Sequence, residues 1–125
     1  MSVKVEIDAL HAKIDEIGGA AFLVTVGEAS SAHVASVRPS RDGSAIRVPA
    51  GRTSRANAAA RAAVTLVWPS ADDGAYALLV DGDASVDGDD VVVEPRSAIL
   101  HRLANADESL PGCVRVEDDP AAPER

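Results

Sequence analysis

The residues of this 125-residue chain best placed to do chemistry are Gly51-Arg52-Thr53-Ser54-Arg55-Ala56-Asn57. Ala50 and Gly51 close a β-rich segment and an alanine run follows, so the heptapeptide reads as the start of a helix extending to about Ala62. A helix start exposes unpaired backbone N–H groups and a partial positive charge, which stabilise a phosphate even without basic side chains. Arg52 and Arg55 would add charge-assisted donors, and the Thr53 and Ser54 hydroxyls neutral ones. The same residues admit a plainer role, in which Thr53 or Ser54 caps the helix and both arginines point into water.

Charge distribution bears on this choice. The formal net charge is −8, which opposes generic binding to nucleic acid or to an anionic membrane. The stretch from Arg38 to Arg61 nevertheless holds six arginines against Asp42 alone, a local charge of +5, and leaves −13 on the remainder. A cationic island in an acidic chain can attract an anion locally, because salt screens the distant acids more than the near arginines.

Other reactive residues are poorly arranged. His11, His33 and His101 have no second ligand at metal-site spacing and read as helix-surface or strand-start residues. Ser30, Ser31 and Ser54 lie in no nucleophile pattern, and no paired carboxylates stand out, so neither a catalytic side chain nor a metal site is assigned. Cys113 is the single cysteine, which excludes an internal disulfide and leaves a spare thiol.

The elements that must carry the helix start follow from periodicity. Ile7, Leu10, Ile14 and Ile17 recur at helical spacing and Gly18-Gly19 ends that helix. Strands are expected at Ala21–Val26, His33–Val37, Ala45–Pro49 after an Asp42-Gly43 turn, Val64–Trp68, Ala75–Val86 and Val91–Glu94. Gly82 inside the long strand suggests a bulge. Pro95 suits the first turn of a further helix over Ser97–Ala104, and Cys113–Val116 is a weak strand.

Six strands that do not alternate with helices predict a mainly β domain with short helices, an antiparallel six-stranded split β-barrel over residues 1–116. With only Phe22, Trp68 and Tyr76 aromatic, alanine, valine and leucine must fill its core. Residues 117–125 read as a disordered acidic tail, whose removal should leave stability nearly unchanged. No apolar run approaches the roughly 20 residues of a membrane span, and the first 17 lack a signal peptide's apolar centre, so a cytoplasmic protein is expected.

In this order, AFLVTVGE, HVASVRP, the DG turn, AIRVPAGRTSRANAAARAAVTLVWP and LLVDGDASV resemble the pyridoxamine 5′-phosphate oxidase-like split-barrel family over Ile7–Leu103. The resemblance implies a homodimer that binds FMN, or the deazaflavin F420 of actinobacteria, in a groove between two barrels. Ten arginines against two lysines keep F420 open. By the same resemblance the cofactor phosphate falls at Arg52, Thr53, Ser54, Arg55 and Asn57, and the ring against Ser36, Val37, Arg38, Pro39, Val48 and Pro49. Trp68 reads first as core or dimer filler, though it ends a strand where a ring could be reached. Ser54 and Ala56 depart from the family pattern, standing where relatives often carry Lys or Arg. An oxidoreductase is thus implied in which the cofactor needs no catalytic side chain, the substrate being an unidentified small molecule. A module that stores flavin, F420 or haem without turnover, or a dimeric scaffold that has lost its ligand, stands as the alternative.

Overall fold

The computed structural model describes residues 6–70, 75–102 and 113–118. Alternation of side chains decides which face of each strand turns inward. On β1 (Ala21–Val26) Ala21, Leu23 and Thr25 point into the core, while Phe22 is exposed. The same period puts Ile46 and Val48 of β4 (Ala45–Pro49) and Val64, Leu66 and Trp68 of β5 (Ala63–Trp68) inside. They meet Leu78 and Val80 of β6 (Ala77–Asp87) and Val91, Val93, Ala98 and Leu100 of β7 (Asp90–His101). The core is therefore built of valine, leucine and alanine around one tryptophan.

The sheet is completed by β2 (Ala32–Val37) and by two short strands, β3 (Ser40–Asp42) and β8 (Cys113–Arg115). The order is β2-β1-β5-β6-β7-β4-β3, every pairing antiparallel, with β8 on β7. One edge of β7 is shared, β4 taking Asp90–Val93 and β8 taking Ile99–His101. The two ends of the path, β2 and β3, are consecutive in sequence and joined by Arg38 and Pro39 alone. So short a link forces the sheet to curl until its ends approach, and this seam is the split in the barrel. The expected split barrel is present with all six expected strands, extended by the three-residue β3 and by the weak strand at Cys113.

The bend that permits curling lies at Gly82, where the β6–β7 register slips by one residue. Asp81 faces Ser97 and Gly82 faces Pro95, which leaves Arg96 as the extra residue of a bulge. A Cβ at Gly82 would sit 2.5 Å from the Glu94 carbonyl oxygen, so only glycine lets the backbones come this close. Pro95, which donates no N–H, is tolerated at such a bulge. This corrects the expected helix over Ser97–Ala104: Ser97–His101 is strand, and residues 103 and 104 lie outside the described residues. Ala98 and Leu100 are buried while Ile99 and His101 are exposed, a period of two that pairing with β6 and β8 enforces over the expected helix.

Helix α1 (Ile7–Ile17) covers the barrel with Ala9 and Leu10 buried and Ile14 and Ile17 packed against the core. Gly18, at φ 66°, ends it and donates its N–H to the Ile14 carbonyl. Helix α2 (Arg52–Ala60) is two residues shorter than expected and packs on β1, β6 and β7. Val116 is buried in the core beside α1, in a short 3-10 turn over Val116–Asp118.

Candidate functional site

The start of α2 follows directly from β4. Gly51 is its N-cap in extended conformation, and no side chain bonds to the cap. The first helical hydrogen bond runs from the Arg55 N–H to the Gly51 carbonyl at 3.0 Å. The N–H groups of Arg52, Thr53 and Ser54 consequently have no partner within the helix, which is the arrangement that receives an anion. Capping by Thr53 or Ser54 does not occur. Because the chain enters helical geometry at Arg52, with Gly51 as the cap, the Thr53 and Ser54 hydroxyls lie two and three positions too late. Thr53 is exposed, and Ser54 is 1% exposed with its Oγ lacking a hydrogen-bond partner.

The arginine island is largely spent within the molecule. Arg47 on β4 is held by Asp42, Asp87 and Asp90 at 3.0 to 3.1 Å, contacts that raise its pKa, Asp87 contributing most. Arg55 folds back to the Ala50 carbonyl at 3.0 Å and to Asp89 at 3.2 Å. Arg41 bonds the Gly43 carbonyl and lies 3.6 Å from Asp8, and Arg61 reaches the Val26 carbonyl. Only Arg38 and Arg52, both exposed, have no hydrogen-bond or carboxylate partner among the described residues. Asn57 donates to the Thr25 hydroxyl at 3.1 Å and lies over Gly27, so it ties α2 to β1.

The residues assigned to a ring divide by burial. Val48 and Trp68 are both 0% exposed, so their side chains present no face to a ligand and only their backbone could. Pro49 is exposed and runs through Ala50 straight into the α2 start. Ser36 and Arg38 are exposed, Val37 is buried, and Pro39 is half-buried at the barrel seam. Among the described residues no hydrogen bond or ion pair joins Ser36–Pro39 to α2, so one chain alone does not tie the two halves of the candidate site together.

No family model matches the chain. Two uncharacterized proteins, one of Mycobacterium bovis and one of Mycobacterium tuberculosis, are each 35% identical over 131 aligned positions, covering 89% of this chain and 91% of theirs. The chain belongs to the family of these mycobacterial proteins. A crystal structure from Listeria innocua, of a protein provisionally named a pyridoxamine 5′-phosphate oxidase, superimposes with a TM-score of 0.59 at 16% identity. It covers 73% of this chain and 97% of the Listeria chain. The fold is thus the pyridoxamine 5′-phosphate oxidase-like split barrel, as the sequence motifs implied.

Two features of this split barrel were not legible beforehand. His11, expected on the helix surface, is 3% exposed: it follows Leu10 on the buried face of α1 and lines a cleft at the seam. Its neighbours there are Ile14, Asp15, Pro39, Ser40, Arg41 and Ile46. Burial, then the charge of Arg41, lower its pKa below the ordinary imidazole value. His101, expected on a helix, is a strand residue paired with Cys113, its Nδ1 3.1 Å from Sγ. Among the described residues no three histidine, cysteine or acidic side chains gather as a metal site, and no helix is long and apolar enough to cross a membrane.

Proposed function

We propose that the protein is an oxidoreductase that binds FMN or F420 in a groove shared by two copies of the chain. The observation that carries this reading is the bare start of α2, where three unpaired N–H groups stand beside Arg52, an exposed arginine with no partner among the described residues. This donor set fits a phosphate group in charge and hydrogen-bonding type. The Thr53 hydroxyl adds a fourth donor, whereas Arg55 joins only by leaving Asp89. Asn57 acts indirectly, fixing the helix on β1 through Thr25. When bound, the cofactor accepts or gives hydride; the exposed Ser36, Arg38 and Pro49, with Pro39 at the seam, line its ring and exclude water.

The homodimer is supported by the outer face of the sheet. Phe22, Val67, Leu79 and Ile99 stand in register across four strands as one apolar row, with Phe22 and Ile99 exposed at its ends. A second copy that covers part of this face would remove apolar surface from water.

A second reading, a ligand-storage module or a scaffold without cofactor, draws on the neutralised arginines. Arg47 and Arg55 are committed to four aspartates, which weakens the field an anion meets. The visible absorption spectrum of the purified protein separates the readings, because flavin, F420 and haem absorb differently. A flavin or F420 band reduced by a hydride donor supports the oxidoreductase; a colourless protein that binds neither cofactor supports the scaffold. Sedimentation at micromolar concentration with cofactor present tests the groove, which a monomer would overturn.

A further inference from the structure

Helix α1 closes the seam of the barrel with a titratable side chain inside its packing. His11 is 3% exposed, next to Leu10 at 0%, and its Nε2 is buried without a hydrogen-bond partner. An imidazolium donates from both nitrogens, so a proton taken up in the folded chain leaves a charged N–H at Nε2 with nothing to accept from it, whichever nitrogen carries the hydrogen in the neutral ring. The packing therefore tolerates the neutral ring and resists the charged one.

Charged groups around the ring come from two elements. β3 presents Arg41, which opposes a second positive charge, while Asp8 and Asp15 of α1 itself favour one. Burial comes first and Arg41 second among the causes that hold the pKa below the ordinary imidazole value. β4 contributes only the apolar Ile46 to the cleft there. The 3-10 turn packed on α1 carries Glu117, 3.9 Å from Arg115, and Lys13 and Glu16 of α1 bond each other at 2.9 Å.

The helix is also placed to move as a unit. Every ladder of the sheet forms between strands, so none is lost when α1 leaves. The chain passes from α1 to β1 through Gly18 and Gly19, both at positive φ, 66° and 75°, and a Cβ at Gly19 would meet nothing within 4 Å. Two successive glycines of this kind absorb a rotation at little steric cost. One polar tie to β3, Asp8 to Arg41 at 3.6 Å, joins exposed groups and holds little. Burial of Ala9, Leu10 and His11, with Ile14 and Ile17 against the core, is what keeps the helix down.

We infer that α1 is an acid-released latch: protonation of His11 frees the helix from the seam about the Gly18-Gly19 hinge while the antiparallel sheet stays formed. In the released helix His11 meets water and takes its proton at the ordinary value of about 6.5. The open form thus binds protons that the closed form resists, and its population grows as pH falls below that value, by up to about 10-fold between pH 7.5 and 5.5.

Hydrogen exchange of backbone amides in the full chain, corrected for the intrinsic effect of pH and compared at pH 7.5 and 5.5, tests the latch in wild type, His11→Gln and Arg41→Gln. Amides of α1 should open more readily than those of the β6–β7 ladder at both pH values, which marks a local opening rather than global unfolding. Their opening in the wild type should rise several-fold, to at most about 10-fold, at the lower pH. The rise should vanish in His11→Gln and shrink in Arg41→Gln, where the closed form takes the proton more readily. Arg41 is exposed, so its replacement leaves a folded protein even if the packed His11 site does not accept glutamine. Amides of α1 that open only together with the ladder, a wild-type opening equal at the two pH values, or a rise undiminished in every variant that folds would each overturn the latch.

Discussion

Arg55 reaches from the first turn of α2 to Asp89 on the β6–β7 turn, its Nη1 3.2 Å from the carboxylate and 3.0 Å from the Ala50 carbonyl. The contact clamps the helix start to a hairpin 34 residues away, where the Ala50 N–H also bonds the Asp89 carbonyl. One arginine of the proposed phosphate-binding pair is therefore held by a carboxylate that an incoming anion would have to displace.

Replacing Asp89 by Asn separates these roles. Asp89 is almost fully exposed, so folding stability should change by less than about 0.5 kcal/mol. Release of Arg55 should raise affinity for FMN roughly 2- to 5-fold. Thermal melts and a parallel FMN titration check both; unchanged affinity would mean that Arg55 takes no part in holding phosphate.

Ser54→Ala should be neutral or slightly stabilising. Its hydroxyl is buried without a partner, so its removal relieves a desolvation cost and breaks no bond. A capping serine would instead lose about 1 kcal/mol on the same change. The urea midpoint of the variant against wild type gives the sign.

The α2 start was legible because its signal is local: a glycine closing a strand, then hydroxyl and arginine residues, then alanines. Strands at Ala21, Ala45 and Val64 were legible for the same reason, each showing apolar alternation between turn residues. What lies between distant segments was not. Arg47 meets Asp87 and Asp90 from 40 and 43 residues away, and no spacing rule announces that pairing. Ser97–His101 contains residues compatible with either helix or strand, and the choice is made by the ladders of β6 and β8 on either side. His11 could have been placed inside from its position next to Leu10 and three before Ile14, had the buried stripe of α1 been drawn one residue wider.

His11 also sets a pH dependence. Its folded-state pKa lies below the ordinary imidazole value of about 6.5, first through burial and then through Arg41. The unfolded chain therefore binds the proton first, so stability is fully present above about pH 6.5 and falls as pH drops below it. Urea unfolding of wild type and His11→Phe between pH 7.5 and 5.5 should show a falling midpoint in the wild type and a flatter profile in the variant. Equal profiles would show that His11 is free to take up its proton in the folded state.

The most direct test of the phosphate site is the affinity of Arg52→Ala for FMN and for F420, measured by fluorescence at two ionic strengths. Arg52 is exposed and has no partner among the described residues, so its loss should leave the fold intact. A charge-assisted bond contributes about 1.5–3 kcal/mol, and binding should weaken roughly 10- to 150-fold. Added salt should weaken the wild type more than the variant. If the wild type binds neither cofactor, or if Arg52→Ala binds as tightly as wild type at both salt concentrations, the start of α2 holds no phosphate and the oxidoreductase reading fails.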